Sequence, residues 1–163
     1  MILSKIFKNT LIILTACLIL SACATKKEVA TKDTTQLQGD VYTGTDSVKY
    51  LADGVPDRVF FATNESILTT ASRETLRAQA GWLRKNSSIN VVLEGHADER
   101  GTREYNLALG ERRANSAKDY LMTYGISSDR ISVLSYGKER PVDSGSNTLA
   151  WSKNRRSVTV KAN

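Results

Sequence analysis

Two lysines, an apolar run and a cysteine fill the first 23 residues, and together they decide how much of this chain is left to fold. Lys5 and Lys8 precede the run from Leu11 to Leu20, and Leu20-Ser21-Ala22-Cys23 closes it. A basic region, a short apolar stretch and small exit residues are the order of a secretory signal peptide. The stretch is too short and wrongly flanked to span a bilayer. Removing the first 22 of 163 residues leaves 141, enough for one domain with its own core plus a tether. Cys17 leaves with the signal, so Cys23 alone remains and no disulfide can form within the domain. An exported domain of this kind is held by packing. One histidine and no second thiol also exclude the His- and Cys-rich zinc sites. Lys5 and Lys8 depart too, leaving 21 basic against 17 acidic side chains, a mild excess that does not call for nucleic acid.

An ordinary signal would end in small residues and need no cysteine. Leu20-Ser21-Ala22-Cys23 resembles the lipobox of bacterial lipoproteins. That resemblance implies a diacylglycerol on the Cys23 thiol, cleavage before Cys23 and acylation of the new amino group. Two or more acyl chains anchor stably where one binds reversibly. Ala24 after the cysteine, rather than Asp, fits sorting to the periplasmic face of the outer membrane.

Residues 24 to about 52 are poor in large apolar side chains, as in Ala24-Thr25-Lys26-Lys27-Glu28 and Thr31-Lys32-Asp33-Thr34-Thr35. Such a segment reads as a flexible tether, reaching on the order of 30 Å as a coil. The organisation expected is therefore a signal over 1–22, a lipidated cysteine and tether over 23–52, and one domain over 53–163. Folded structure should begin near Pro56. Arg58-Val59-Phe60-Phe61 is a β-rich run, and Asn64-Glu65-Ser66 is a turn. Thr69 or Thr70 is placed to cap a helix through about Lys85, whose stripe is Leu76, Ala80 and Leu83. Ile89 to His96 reads as a central strand. A polar loop, Ala97 to Gly101, leads to a second helix from about Thr102 to Tyr124. Its stripe is Leu107, Gly110, Ala114, Ala117, Leu121 and Tyr124, with Gly125 at the C′ position. Ile131 to Tyr136 is a third strand, Leu149 to Asn154 a short helical piece, and Ser157 to Lys161 the last strand. The order βαβαββ predicts an α/β two-layer sandwich, a mixed four-stranded sheet with helices on one face.

The densest polar stretch is Glu94-Gly95-His96-Ala97-Asp98-Glu99-Arg100-Gly101, followed by Tyr105-Asn106 and Gly110-Glu111-Arg112-Arg113. It is a strand exit, a glycine-bounded loop and the early turns of a helix, the place where open α/β sheets bind ligands. Spacing alone does not join Asp98 to Arg113, and on spacing alone they read first as a structural ion pair or a solvated face. If they share a pocket, a carboxylate and a forked guanidinium suit the ammonium and carboxylate of an amino-acid head.

Gly95 to Gly101, Tyr105-Asn106, Leu109 to Ala114, Ser135-Tyr136-Gly137-Lys138-Glu139 and Asn154-Arg155-Arg156 resemble the OmpA-like peptidoglycan-binding domain family over roughly residues 57–161. With the lipobox and tether, the whole chain is similar to the peptidoglycan-associated lipoproteins of that family. The resemblance implies that Asp98 pairs with the ammonium of meso-diaminopimelate in the cell-wall peptide, and that Arg113 forks onto its carboxylate. It places Asn106 and Leu109 beside the pocket and the backbone from Ala97 to Thr102 around it. It also implies a role in the Tol-Pal envelope system, in outer-membrane integrity and cell division, with the β-propeller protein of the Tol system as a partner. One region departs. Where the family usually has Phe-Asp-Phe-Asp, this chain has Phe61-Ala62-Thr63-Asn64. Asn64 stands at the position of the last acid and can accept a hydrogen bond, but without full charge.

Glu94, His96 and Asp98 alternate, and a strand would project all three to one face. No neighbouring histidine or thiolate completes a metal site, so His96 is read as hydrogen-bonded structure. Arg155-Arg156 is read as support for the pocket or a solvated face, Trp82 as a partly covered helix face, and Trp151 as a core or partner contact. Hydrolysis needs a nucleophile with its base, a metal-bound water or two opposed carboxylates. The chain offers none of these sets, so no catalysis and no cofactor are expected. The alternative to wall binding is an envelope scaffold whose main ligand is another periplasmic protein.

Overall fold

A computed structural model describes residues 37–162, so the signal segment, Cys23 and residues 24–36 lie outside the described residues. Two short hairpins come first. β1 (Leu37–Gln38) pairs with β2 (Val41–Tyr42), and β3 (Tyr50–Ala52) pairs with β4 (Val55–Pro56). The tether expectation over 23–52 therefore needs correcting from residue 37 onward. Tyr42 and Leu51 are buried, and the Tyr42 ring meets Phe60 edge-on at 4.8 Å. Two or three well-placed apolar side chains were enough to dock a segment whose average composition is polar.

The main sheet holds β5 (Arg58–Phe60), β6 (Val91–His96), β7 (Ile131–Gly137) and β8 (Arg156–Lys161) in the order β5-β8-β6-β7. β8 is antiparallel to both neighbours, while β6 and β7 are parallel. The sheet is mixed and four-stranded, as the sequence predicts. α1 (Thr70–Lys85) connects β5 to β6, α2 (Arg103–Thr123) connects β6 to β7, and the short α3 (Thr148–Asn154) intervenes before β8. No helix among the described residues is long and apolar enough to cross a membrane.

Local signals set the helix ends. Thr69 caps α1, its hydroxyl accepting from the Ser72 N–H at 3.1 Å, and Thr102 does the same for Tyr105 at 3.2 Å. Gly125 follows α2 with φ of 81°, as a C′ glycine should. The core lies between the helices and one sheet face. Leu76, Ala80 and Leu83 of α1 and Ala114, Ala117 and Leu121 of α2 pack on Val59, Phe61, Val91, Leu93 and Ile131. The expected α2 stripe needs one correction: Leu107 is exposed, and Asn106, Leu109 and Arg113 are buried instead. The helix turns Asn106 and Arg113 inward because its first half leaves the apolar core and runs over the strand ends. Gly95 and Gly110 allow this. A Cβ on Gly95 would collide with the Gly110 carbonyl oxygen, so α2 lies directly against β6 there.

Candidate functional site

β5 and β6 run the same way and β8 runs opposite, so the ends of two strands and the start of the third share one sheet edge. This topology gathers the loop after β5 (residues 61–65), the loop after β6 (residues 97–102), the residue ahead of β8 and the first turns of α2.

Arg113 sits beneath that gathering with no exposed surface. Its Nε donates to the Glu65 carbonyl at 2.8 Å, Nη1 to the His96 carbonyl at 2.9 Å and Nη2 to the Ala62 carbonyl at 3.0 Å. The guanidinium thus ties both loops to the helix and lies 5.4 Å over the Phe61 ring. A guanidinium has five N–H donors, so two are uncommitted. No carboxylate pairs with it among the described residues. Burial, aided by the Arg155 charge and opposed by Asp98, pushes its pKa down to about 10, so it stays charged at neutral pH.

Asp98 is also buried, but its partners are others. Oδ1 accepts from the Arg100 backbone N–H and Nε, both at 3.1 Å; Oδ2 accepts from Arg100 Nη2 at 2.6 Å and Arg155 Nη1 at 3.3 Å. Burial alone would raise its pKa; the Arg100 and Arg155 contacts more than offset that and hold it below the usual carboxylate range. Asp98 and Arg113 therefore share the strand-end region without touching. Arg100 spans the two loops, reaching the Thr63 hydroxyl at 3.4 Å and lying 4.3 Å over the Trp151 ring, whose Nε1 donates to Glu99 at 2.8 Å. Trp151 thus belongs to the rim of this site.

The remaining expected residues divide. Asn106 is buried and its Nδ2 donates to the Arg100 carbonyl at 2.8 Å, holding the loop against α2. Leu109 is buried three residues further along. Asn64 is exposed with φ of 57°, a left-handed conformation that asparagine tolerates, and makes no side-chain hydrogen bond among the described residues. Its location on the site loop is as expected; its side chain adds nothing to the network.

Sequence reasoning left Arg155 between two readings and missed Asp40. Arg155, read as pocket support or a solvated face, is almost completely buried and donates to the Phe61 carbonyl at 3.1 Å as well as to Asp98. Strand alternation could have separated it from Arg156, which faces the opposite side of the sheet. Asp40, in the turn between β1 and β2, accepts from the Thr63 N–H at 2.6 Å, and its carbonyl accepts from Arg155. Nothing near it in sequence announces a contact with residues 23 and 115 positions away.

His96 requires a correction. Its carbonyl serves Arg113, but its ring faces the other side of the sheet and has no hydrogen-bond partner at either nitrogen among the described residues. It stacks on Tyr136 at 5.5 Å, and Glu94 Oε2 lies 3.8 Å from Nε2. Burial, together with Arg156, Arg58 and Arg140, lowers its pKa to about 3, so it is neutral. Among the described residues no cluster of three His, Cys, Asp or Glu side chains is arranged to hold a metal. A separate cleft of about 570 Å3, between the hairpins and the start of α1, is lined by none of the expected site residues.

Comparison with known proteins fits this geometry. Residues 60–155 match the model of the OmpA family. The peptidoglycan-associated lipoprotein of Mesorhizobium japonicum is 44% identical over 150 residues, covering 92% of this chain and 89% of that protein. The crystal structure of the peptidoglycan-associated lipoprotein from Burkholderia pseudomallei superposes with a TM-score of 0.63 at 32% identity, covering 65% of this chain and 90% of that one. The C-terminal domain of Helicobacter pylori MotB reaches a TM-score of 0.61 at 18% identity over 66% of this chain and 84% of that one, a likeness of fold alone.

Proposed function

The chain belongs to the OmpA family, and on that footing we propose that it is an outer-membrane lipoprotein that holds peptidoglycan without catalysis. Cys23 carries the lipid anchor, which the intact mass of the native N-terminus would show; an unmodified Cys23 would remove the anchor from this reading. Its partners are diaminopimelate-containing stem peptides, the outer membrane and the β-propeller protein of the Tol system, and its setting is Tol-Pal envelope integrity and cell division.

The observation that carries the wall-binding reading is Arg113: a buried cation with two spare donors and no carboxylate of its own among the described residues. A buried charge is costly until it is paired, so the site favours an incoming carboxylate, held as a fork. Asp98 is the negative side. Arg100, whose side chain is 42% exposed, occupies it in the free protein and bridges the two loops above Arg113. A ligand ammonium can take the place of this guanidinium on Asp98, keeping the carboxylate paired while the entrance opens. Asn106 and Leu109 shape the helix side, and Asn64 the opposite loop. meso-Diaminopimelate presents both charges on one carbon; lysine in the same peptide lacks the second carboxylate.

Calorimetry of the full chain with diaminopimelate-containing and lysine-containing stem peptides tests this. Binding should be confined to the former, and Asp98→Ala should cost about 2–5 kcal/mol. Equal affinity for both peptides would refute the assignment.

A further inference from the structure

Asp98 uses both oxygens and all of a carboxylate's ordinary acceptor positions on Arg100 and Arg155. Any ammonium that meets it must first displace a guanidinium. Asp40 is in the opposite condition. Its Oδ2 accepts the Thr63 N–H, while its Oδ1 accepts no hydrogen bond among the described residues and its side chain is 43% exposed.

Asp40 is also fixed in place. Arg155, which binds Asp98 through Nη1, binds the Asp40 carbonyl through Nη2, and that nitrogen lies 3.9 Å from Asp40 Oδ2. Thr63, which gives its N–H to Asp40, follows Ala62, whose carbonyl holds Arg113. The hairpin itself is pinned by Tyr42 under Phe60 and, beyond β2, by Asp46 paired with Lys153 at 2.9 Å. Burial works against the Asp40 charge, but the Thr63 hydrogen bond and the Arg155 charge prevail and hold its pKa below the usual carboxylate range.

The charge balance gives this residue a consequence. Arg100, Arg113 and Arg155 bring three positive charges to the strand ends, against Asp98 within the site and Glu99 on its rim. A site built from these five keeps a positive excess and would favour any carboxylate, with or without an amine beside it. Asp40 adds a further negative charge on the loop side, with an oxygen that accepts no hydrogen bond among the described residues. We propose that Asp40, carried by the hairpin ahead of the main sheet, is the open carboxylate of the site and selects ligands that bear an ammonium beside their carboxylate. The proposal rests on the wall-binding reading above and extends it by a specificity-determining residue outside the stretch that matches the family.

The test pairs a protein change with a ligand change. The full chain and Asp40→Asn, which can still accept the Thr63 N–H, are titrated with a diaminopimelate-containing stem peptide and with its analogue lacking the terminal amine. The unmodified chain should prefer the amine-bearing peptide, and Asp40→Asn should reduce that preference about tenfold, through weaker binding of the amine-bearing peptide alone. Thermal melting of both proteins establishes that each is folded; Asp40→Glu, which keeps the charge, should restore most of the preference. An unchanged preference in folded Asp40→Asn overturns the proposal while leaving wall binding intact. Equal tightening of both peptides overturns it too, since the hairpin would then be a cover and not a contact. Failure of the unmodified chain to bind either peptide removes the wall-binding reading and this inference with it.

Discussion

Arg155 and Arg156 are adjacent in sequence and serve opposite sides of the sheet. On the helix side, Arg155 and Arg113 donate to loop carbonyls, and Arg113 has no counter-ion among the described residues. On the open side, Arg58 is paired at short range with Asp57, Arg156 reaches the Asn154 and Arg140 carbonyls at 3.4 and 3.1 Å, and Glu94 lies near the neutral His96. Both clusters are buried and cationic, and each combines one paired arginine with one held by carbonyls. The open-side cluster pairs Arg58 with Asp57 and holds Arg156 on carbonyls, its Nε without a partner among the described residues. The helix-side cluster pairs Arg155 with Asp98 and holds Arg113 on carbonyls. Place separates the two carbonyl-held cations: Arg113 ties together the loops at the strand ends, while Arg156 lies within β8 on the other face of the sheet. His96 joins the two regions, with its carbonyl on Arg113 and its ring among the arginines of the other face.

Removing one arginine from each side is the strongest way to break this comparison. Arg113→Ala should cost about 2–5 kcal/mol of stem-peptide binding. Arg113→Lys should not restore it, because an ammonium cannot fork onto a carboxylate while holding three carbonyls. Arg156→Ala should lower stability and leave binding by the folded fraction unchanged. Calorimetry beside urea unfolding separates the two effects. A binding loss for Arg156→Ala as large as that for Arg113→Ala would show that both faces feed one site.

Acid sharpens the comparison with a smaller effect. His96 titrates near 6.5 in the unfolded chain and about 3 in the fold. Between those values the unfolded state binds more protons, so stability rises with pH and is lost as pH falls from about 6.5 toward 3. By pH 4 the loss should reach about 3 kcal/mol. Asp40 and Asp98, both held below 3.8, add their loss in the same direction at still lower pH. Urea midpoints across pH should slope accordingly, and His96→Gln should flatten the slope between pH 6.5 and 4 whatever it does to absolute stability. An unchanged slope in that variant would move the proton uptake to other groups.

Much of the architecture was legible because it depends on neighbours in sequence. The Thr69 cap, the Leu76-Ala80-Leu83 stripe and the Gly125 stop act within one or two helical turns, and each stands where the pattern places it. Leu107 was misjudged because helical periodicity continues past the point where α2 leaves the core for the strand ends. The hairpins were misjudged because composition averages over a segment, whereas docking needed only Tyr42, Leu51 and the surfaces that receive them.

The sequence by itself determined the alternation of strands and helices, the glycines that let α2 lie on β6, and the polar loop that carries Asp98 at a strand end. These are properties of short-range sterics and periodicity. Only the tertiary structure decided which charges meet. β8 inserts between β5 and β6 and brings Arg155 to Asp98 across 57 residues; the first hairpin folds back and sets Asp40 on Thr63. Arg113 is left facing three carbonyls for the same reason. Pairing of buried ions follows from distance in space, and that distance is set by how the sheet is threaded.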